Sequence, residues 1–241
     1  MNPFEERNKE VIKLMGEDRN LRQKTKDWFL AASKHEYSYH FSWMGRPIIQ
    51  FPQDIVAMQE IIWKIKPDLI FETGIAHGGS LIFSASMLEL IGGDGQVLGV
   101  DIDIREHNRM EIEKHSMMKR ITMIQGSSID KDVANKVYEI ARNKKNILVI
   151  LDSNHTGDHV EKELELYSGL VSLNSYLLVY DTIVEDMPAD FVVDRPWGLG
   201  NNPKTAVHKF LHQNQNFIID REIQDKLQIT VAPDGYLKRI K

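Results

Sequence analysis

Asp152, His155 and Asp181 are the side chains whose types and spacing point most directly to chemistry. Asp152 closes the apolar run Ile147-Leu148-Val149-Ile150-Leu151, and His155 follows three residues later. Asp181 closes the next apolar run, which starts at Tyr176. Two carboxylates at the ends of adjacent strands can share one divalent cation through oxygen ligands. A cation held there would bind a substrate hydroxyl and lower its pKa, with His155 in reach as the base that takes the proton. The structural alternative makes Asp152 and Asp181 helix N-caps and His155 a surface residue. His155, Asp158 and His159 also spell H-x-x-D-H, which superficially suggests a two-His-one-carboxylate iron site. On a helix the two histidines share a face and Asp158 points elsewhere. Asp158 is therefore expected to begin a helix at His159, and the iron site is set aside.

A second group of residues reads as a ligand turn. In Leu69-Ile-Phe-Glu72-Thr-Gly74-Ile-Ala-His77-Gly78-Gly79-Ser80 an apolar run ends in Glu72, a glycine turn follows, and a helix opens at Ser80. Such a strand–turn–helix brings a polar ligand against bare backbone and a helix N-terminus. The next apolar run ends in Asp101, with Asp103 beyond it, where an acidic residue commonly holds ribose hydroxyls. The turn is thus expected to hold a nucleoside cofactor. Its glycines do not have the G-x-G-x-x-G spacing of a dinucleotide fingerprint, and no lysine follows them as in a P-loop. Glu72 would repel a pyrophosphate and tolerate a cationic ligand end. A sulfonium carrying an amino group fits, which favours S-adenosylmethionine over NAD. After the third strand, Ser127 and Ser128 could line an adenine edge, or Ser128 or Asp130 could cap the following helix.

These groups need a frame that brings strand ends together. Helical spacing covers residues 5–15 and 21–33, followed by the aromatic segment from His35 to Gly45. That segment is read either as an arm packed on the core or another subunit, or as a lid or substrate wall including Trp43. From residue 53 the pattern alternates. Helices are expected over 54–65, 80–91, 105–118, 130–142, 159–171 and 204–212. Strands are expected over 69–71, 97–100, 121–124, 147–151 and 176–180. Strands over 217–219, 227–231 and 236–240 close the chain, the last two joined by a Pro233-Asp234-Gly235 turn. This order implies an α/β protein with a mostly parallel sheet, helices on both faces and a terminal antiparallel strand pair. Ligands then bind beyond the carboxyl ends of the strands, on one rim carrying Glu72, Asp101, Asp152 and Asp181. The turn-rich stretch Arg195-Pro-Trp197-Gly-Leu-Gly-Asn-Asn-Pro203 lies over the same rim as a substrate loop or a structural cap. Residues 1–50 are read as the arm and 51–241 as one catalytic domain.

Composition narrows the classes. The 241 residues carry a net charge of −5, which argues against nucleic acid as the main partner. There is no cysteine, so thiol catalysis, disulfides and thiolate metal sites are excluded. With no signal peptide and no long apolar run, the expected setting is cytoplasmic and away from membranes. The apolar area of the arm makes a homo-oligomer the expected assembly.

Taken in order, Trp43-x-Gly45, Glu72-Thr-Gly74-x-x-x-Gly78-Gly79-Ser80, Asp101-x-Asp103, Gly126-Ser127-Ser128, Leu151-Asp152-Ser-x-His155 and Gly200-Asn-Asn-Pro203 resemble the cephalosporin hydroxylase / rhamnosyl O-methyltransferase family. The resemblance covers roughly residues 40–241. It implies a Rossmann-like class I methyltransferase fold with a seven-stranded sheet, S-adenosylmethionine as cofactor, and Mg2+-assisted methyl transfer to a hydroxyl of a sugar or small secondary metabolite. It would place Glu72, Gly74, Gly78 and Ser80, with His77 and Gly79 of the same turn, on the methionine part. Asp101 or Asp103 would take the ribose and Ser127 and Ser128 the adenine, while Asp152 and Asp181 bind the metal. His155 would stand where catechol-type O-methyltransferases carry a lysine base. The family usually has an acidic residue just before Asp181, and this chain has Tyr180. Glu185 or Asp186 are the nearby carboxylates that could compensate. Two rivals remain open from the residues: a nicotinamide-dependent oxidoreductase, and a non-catalytic Rossmann-like binding domain.

Overall fold

The computed structural model describes residues 2–241. Two charged helices come first, α1 (Pro3–Glu17), capped by Asn2, and α2 (Arg19–Ser33), capped by Asp18. A 3₁₀ turn (Tyr37–His40) and a small hairpin of β1 (Ser42–Trp43) and β2 (Arg46–Pro47) lead to α3 (Pro52–Ile65). The alternation then runs β3 (Leu69–Thr73), α4 (Gly79–Ile91), β4 (Gln96–Asp101), α5 (Glu106–Glu113), β5 (Ile121–Gln125) and α6 (Lys131–Ala141). It continues with β6 (Ile147–Leu151), α7 (Gly157–Tyr167) and β7 (Tyr176–Val179). The last elements are α8 (Pro203–Gln213), β8 (Phe217–Ile219), α9 (Arg221–Leu227) and β9 (Tyr236–Arg239). Among the described residues no helix is long and apolar enough to cross a membrane.

The seven strands β3–β9 form one sheet in the order β5-β4-β3-β6-β7-β9-β8. β3 to β7 are parallel, and β9 runs antiparallel between β7 and β8. The chain winds outwards from β3 to β5, then crosses back to place β6 on the other side of β3. That reversal is the switch point, and Thr73 pairs with Leu151 at its carboxyl end. Every residue of β3 and β6 is buried, because helices cover both faces. Ile70, Leu148 and Ile150 pack into the layer with α3 and α4, while Leu69, Phe71, Val149 and Leu151 face the layer with α6 and α7. At about 2 kcal/mol per fully buried aliphatic side chain, the two layers fix the strand ends as a rigid platform.

Three boundaries differ from the sequence expectation. Residues 227–231 are not a strand. Leu227 ends α9, Gln228 takes a positive φ of 59°, and the terminal antiparallel pair is β8 with β9. The apolar Ile229 and Val231 pack under α2 and α3 from a loop. Residues 105–118 divide into α5 and a 3₁₀ turn (Ser116–Arg120), because the His115 ring accepts the Met117 N–H at 3.1 Å and opens a new turn. α7 begins at Gly157 behind Thr156, so Asp158 sits inside its first turn rather than before it.

Asp54 ties the C-terminal loop to this platform. It is fully buried on α3 and accepts the Thr230 hydroxyl at 2.5 Å, the Val231 N–H at 3.0 Å and the Tyr236 hydroxyl at 2.7 Å. Burial pushes its carboxyl up to about 6, against those three donors. Asp54→Ala strands three buried donors and is expected to destabilise the fold by about 3 kcal/mol in urea unfolding. A loss under about 1 kcal/mol would show that this anchor does not hold the loop.

Candidate active site

The turn after β3 is shaped by backbone conformation and held from three sides. Gly74 has φ +90°, and a Cβ there would overlap the Asp152 carbonyl, so only glycine lets the ends of β3 and β6 meet this closely. Asp101, at the end of β4, accepts the N–H groups of Ile75 (2.7 Å) and Ala76 (3.2 Å) on one carboxylate oxygen and that of Asp103 (3.0 Å) on the other. Arg46 donates to the His77 carbonyl at 2.7 and 3.0 Å and to Asn108 at 3.0 Å, and Asn108 donates to the Ala76 carbonyl. Gly78, at φ +82°, begins α4 with no side-chain cap, which leaves the first amides of that helix free.

Two cavities open at the carboxyl ends of the strands. The larger, about 300 Å³, is bounded by the turn from Gly74 to His77, Gly79 and Ser80, the Asp152–His155–Asp181 group, Gln50, and Ser38 and Tyr39 of the N-terminal segment. The smaller, about 120 Å³, is lined by Gly74, Asp101, Ser127, Ser128, Ser153 and His159. Gly74 and Ser153 border both, so a ligand of two parts can lie across the turn.

Glu72 stands behind the larger cavity, 1% exposed. One of its oxygens accepts the Ser80 hydroxyl, and the other is buried without a hydrogen-bond partner among the described residues. Burial raises its carboxyl to about 8, a shift the Ser80 bond only partly opposes. Asp152 opens onto the cavity on one side and is enclosed by protein on the others. Its carboxyl is pushed well above the usual range by burial, then by Asp181, Glu72, Glu163 and Asp54. Gln50 donates to Asp152 at 3.3 Å. The His155 Nε2 lies 3.2 Å from an Asp181 oxygen, and its ring meets Trp197 edge to face at 4.9 Å. One donor atom from each of Asp152, His155 and Asp181 lies within 4.8 Å of the others. This is the only such group of potential metal ligands among the described residues.

Other expected residues fall differently. Ser127 and Ser128 do line the smaller cavity, but Asp130 is the residue that caps α6. Ser128 is bonded to His159 at 3.0 Å. Asp103 turns outwards towards Arg105, leaving Asp101 as the acid on the smaller cavity. Gly78 packs against Ile112 behind the turn. Glu185 accepts from Gly200 and Asn202, and Asp186 pairs with Lys204 at 2.6 Å, so neither turns to the cation group. His159 sits with Ser153 and Glu163, apart from His155, so H-x-x-D-H forms no single site. Trp43 donates to Ser86 at 2.9 Å and packs on Phe83, and Ser38 and Tyr39 form the wall in its place. Arg46, Asn108 and Gln50 went unnoticed in the sequence, where nothing local marks them.

The β5-β4-β3-β6-β7-β9-β8 order of this sheet, with two cavities at its switch point, defines a class I methyltransferase fold. The model of the Rhamnosyl O-methyltransferase/CmcI family matches residues 35–240, and the chain belongs to that family. It is 28% identical over 200 residues to the rhamnosyl O-methyltransferase of Mycobacterium tuberculosis H37Rv, covering 82% of this chain and 78% of that one. The same enzyme of Mycobacterium leprae is 27% identical over 200 residues, 82% of each chain. In structure the chain is similar to apo CmcI, with a TM-score of 0.62 at 21% identity over 84% of this chain and 77% of that one. It is also similar to an O-methyltransferase from Bacillus cereus, with a TM-score of 0.54 at 13% identity over 93% and 92%.

The burial of Glu72 gives a pH signature. Its folded-state pKa is raised, so the folded chain keeps a proton that the unfolded chain releases between pH 4.5 and about 8. The stability that this proton confers is full below pH 4.5 and is lost as pH rises towards 8. Without ligand, the wild type is expected to lose on the order of 4 kcal/mol more than Glu72→Gln across that window. Parallel pH profiles of chemical denaturation for the two proteins would contradict the neutral state of Glu72.

Proposed function

We propose that the chain is an S-adenosylmethionine-dependent, Mg2+-assisted O-methyltransferase acting on a hydroxyl of a sugar or small secondary metabolite. The observation that carries this reading is the pair of cavities meeting at Gly74, with the Asp152–His155–Asp181 group in the larger. The family membership supports it, as do the rhamnosyl O-methyltransferases among its relatives. The residues fit the cofactor. The unpartnered Glu72 oxygen suits an ammonium or sulfonium group, and the open start of α4 suits a carboxylate. Asp101, Ser127 and Ser128 suit a nucleoside. They fit a divalent cation too, since two crowded carboxylates face one opening.

Within this reading Ser80 and Glu72 hold the methionine end, with Gly74, His77 and Gly79 forming the surface it lies on. Asp101 holds the ribose hydroxyls while it fixes the turn. Asp152 and Asp181 would hold the cation, which when bound would lower the pKa of the acceptor hydroxyl, and S-adenosylmethionine would supply the electrophilic methyl group. The chain's task is then positioning, because in-line displacement needs the hydroxyl oxygen held behind the methyl carbon. Two roles are open to His155: taking the hydroxyl proton or ligating the cation. We place the arm at residues 1–50, of which Met1 lies outside the described residues, and the catalytic domain at 51–241. Ser38, Tyr39 and the stretch from Pro47 to Gln50 are the parts of the arm that line the larger cavity.

Calorimetric titration separates this reading from its rivals. S-adenosylmethionine is expected to bind and NAD to give no heat; the reverse would overturn the proposal. Asp152→Ala is expected to cut turnover on a sugar or phenol acceptor by about a hundredfold or more, with cofactor affinity within about threefold. Full activity of that variant with a chelator present would remove the cation from the scheme.

A further inference from the structure

We propose that His155 is a ligand of the cation rather than the base, so that this chain builds a two-carboxylate, one-imidazole centre that accepts Mg2+ and binds Mn2+ more tightly. The inference rests on the reading above that a divalent cation sits at this rim. Its own support is the donor set. Asp152 and Asp181 supply two carboxylates, and the third donor atom within 4.8 Å of both is a ring nitrogen. Donor atoms this close could share one small cation with little movement.

Among the described residues no further carboxylate joins this group. The residue before Asp181 is Tyr180, a buried phenol kept neutral by burial and by Asp54, Asp152 and Glu72 around it. Glu185 and Asp186, the next acids along the chain, are bound to the 198–204 segment. The imidazole is held beside the carboxylates: its Nε2 lies 3.2 Å from an Asp181 oxygen, and its ring meets Trp197 edge to face, with Arg195 also over that indole. Mg2+ favours oxygen ligands only, and imidazole strengthens binding of Mn2+ and later first-row ions relative to it.

Pulsed EPR on the full chain with MnCl2 tests this directly. Bound Mn2+ is expected to show 14N modulation, which changes to 15N frequencies when the protein is made with 15N-histidine. In His155→Asp the modulation is expected to vanish while Mn2+ still binds, and the Mn2+-over-Mg2+ preference in competition titrations to fall about tenfold or more. The isotope arm needs no variant, so a misfolded substitution does not leave the question open. Mn2+ bound without nitrogen modulation, or with modulation that survives His155→Asp, overturns the ligand role and leaves the cation reading of the site standing. If Mn2+ does not bind to the wild type at all, the cation reading falls as well.

Discussion

The grip of Asp101 on the turn after β3 is the interaction on which the rest of the site depends. One carboxylate takes three backbone amides, and charge-assisted bonds of this kind are about twice as strong as neutral ones. They hold Ala76 at φ 45°, a conformation a non-glycine residue does not keep unaided. Arg46 and Asn108 close the same turn from outside, through the carbonyls of His77 and Ala76. With the turn fixed, Gly74 lies against Asp152, and the two cavities share a border instead of drifting apart. Asp101, which borders the smaller cavity, is thus first a structural part of that cavity's wall.

Around that turn the chain crowds more acidic side chains than it pairs with basic ones. Burial first, then Asp181, Glu72, Glu163 and Asp54, push the Asp152 carboxyl well above its usual range, and burial with Asp181 raises Asp54. No lysine or arginine of the chain is paired with Glu72 or Asp152 among the described ion pairs. A core arranged in this way is poorly suited to being empty, and it favours ligands that bring positive charge. Tyr180 moderates the crowding by placing a neutral ring where a further acid would add to it.

Much of this was legible from residue order. The runs at Leu69–Thr73 and Ile147–Leu151 read as strands because both faces of each are covered, leaving no polar alternation to confuse them. The rim acids followed from the rule that parallel strands present their carboxyl ends to ligands. Residues 227–231 misled because Leu227, Ile229 and Val231 alternate like a strand, while the charged α9 before them is too short to show a period. The roles of Arg46, Asn108 and Gln50 were invisible, since each acts on a partner at least 31 residues away. The aromatic segment from His35 to Gly45, read as an arm on the core or a substrate wall, divides between the two: Trp43 packs on Ser86 and Phe83, and Ser38 and Tyr39 line the larger cavity.

The anchor at Asp54 also sets a timetable. Its partners Thr230, Val231 and Tyr236 lie 176 to 182 residues later in the chain. During synthesis on the ribosome, the platform from β3 to β7 can therefore assemble long before the floor beneath Tyr180 is sealed. Until the last strand but one of the sheet, β9, slots between β7 and β8, the Asp54 carboxylate has water as its only solvent of charge. Completion of the enzyme is thus tied to the translation of its distal segment, and a nascent chain carries every rim acid before it carries a finished pocket.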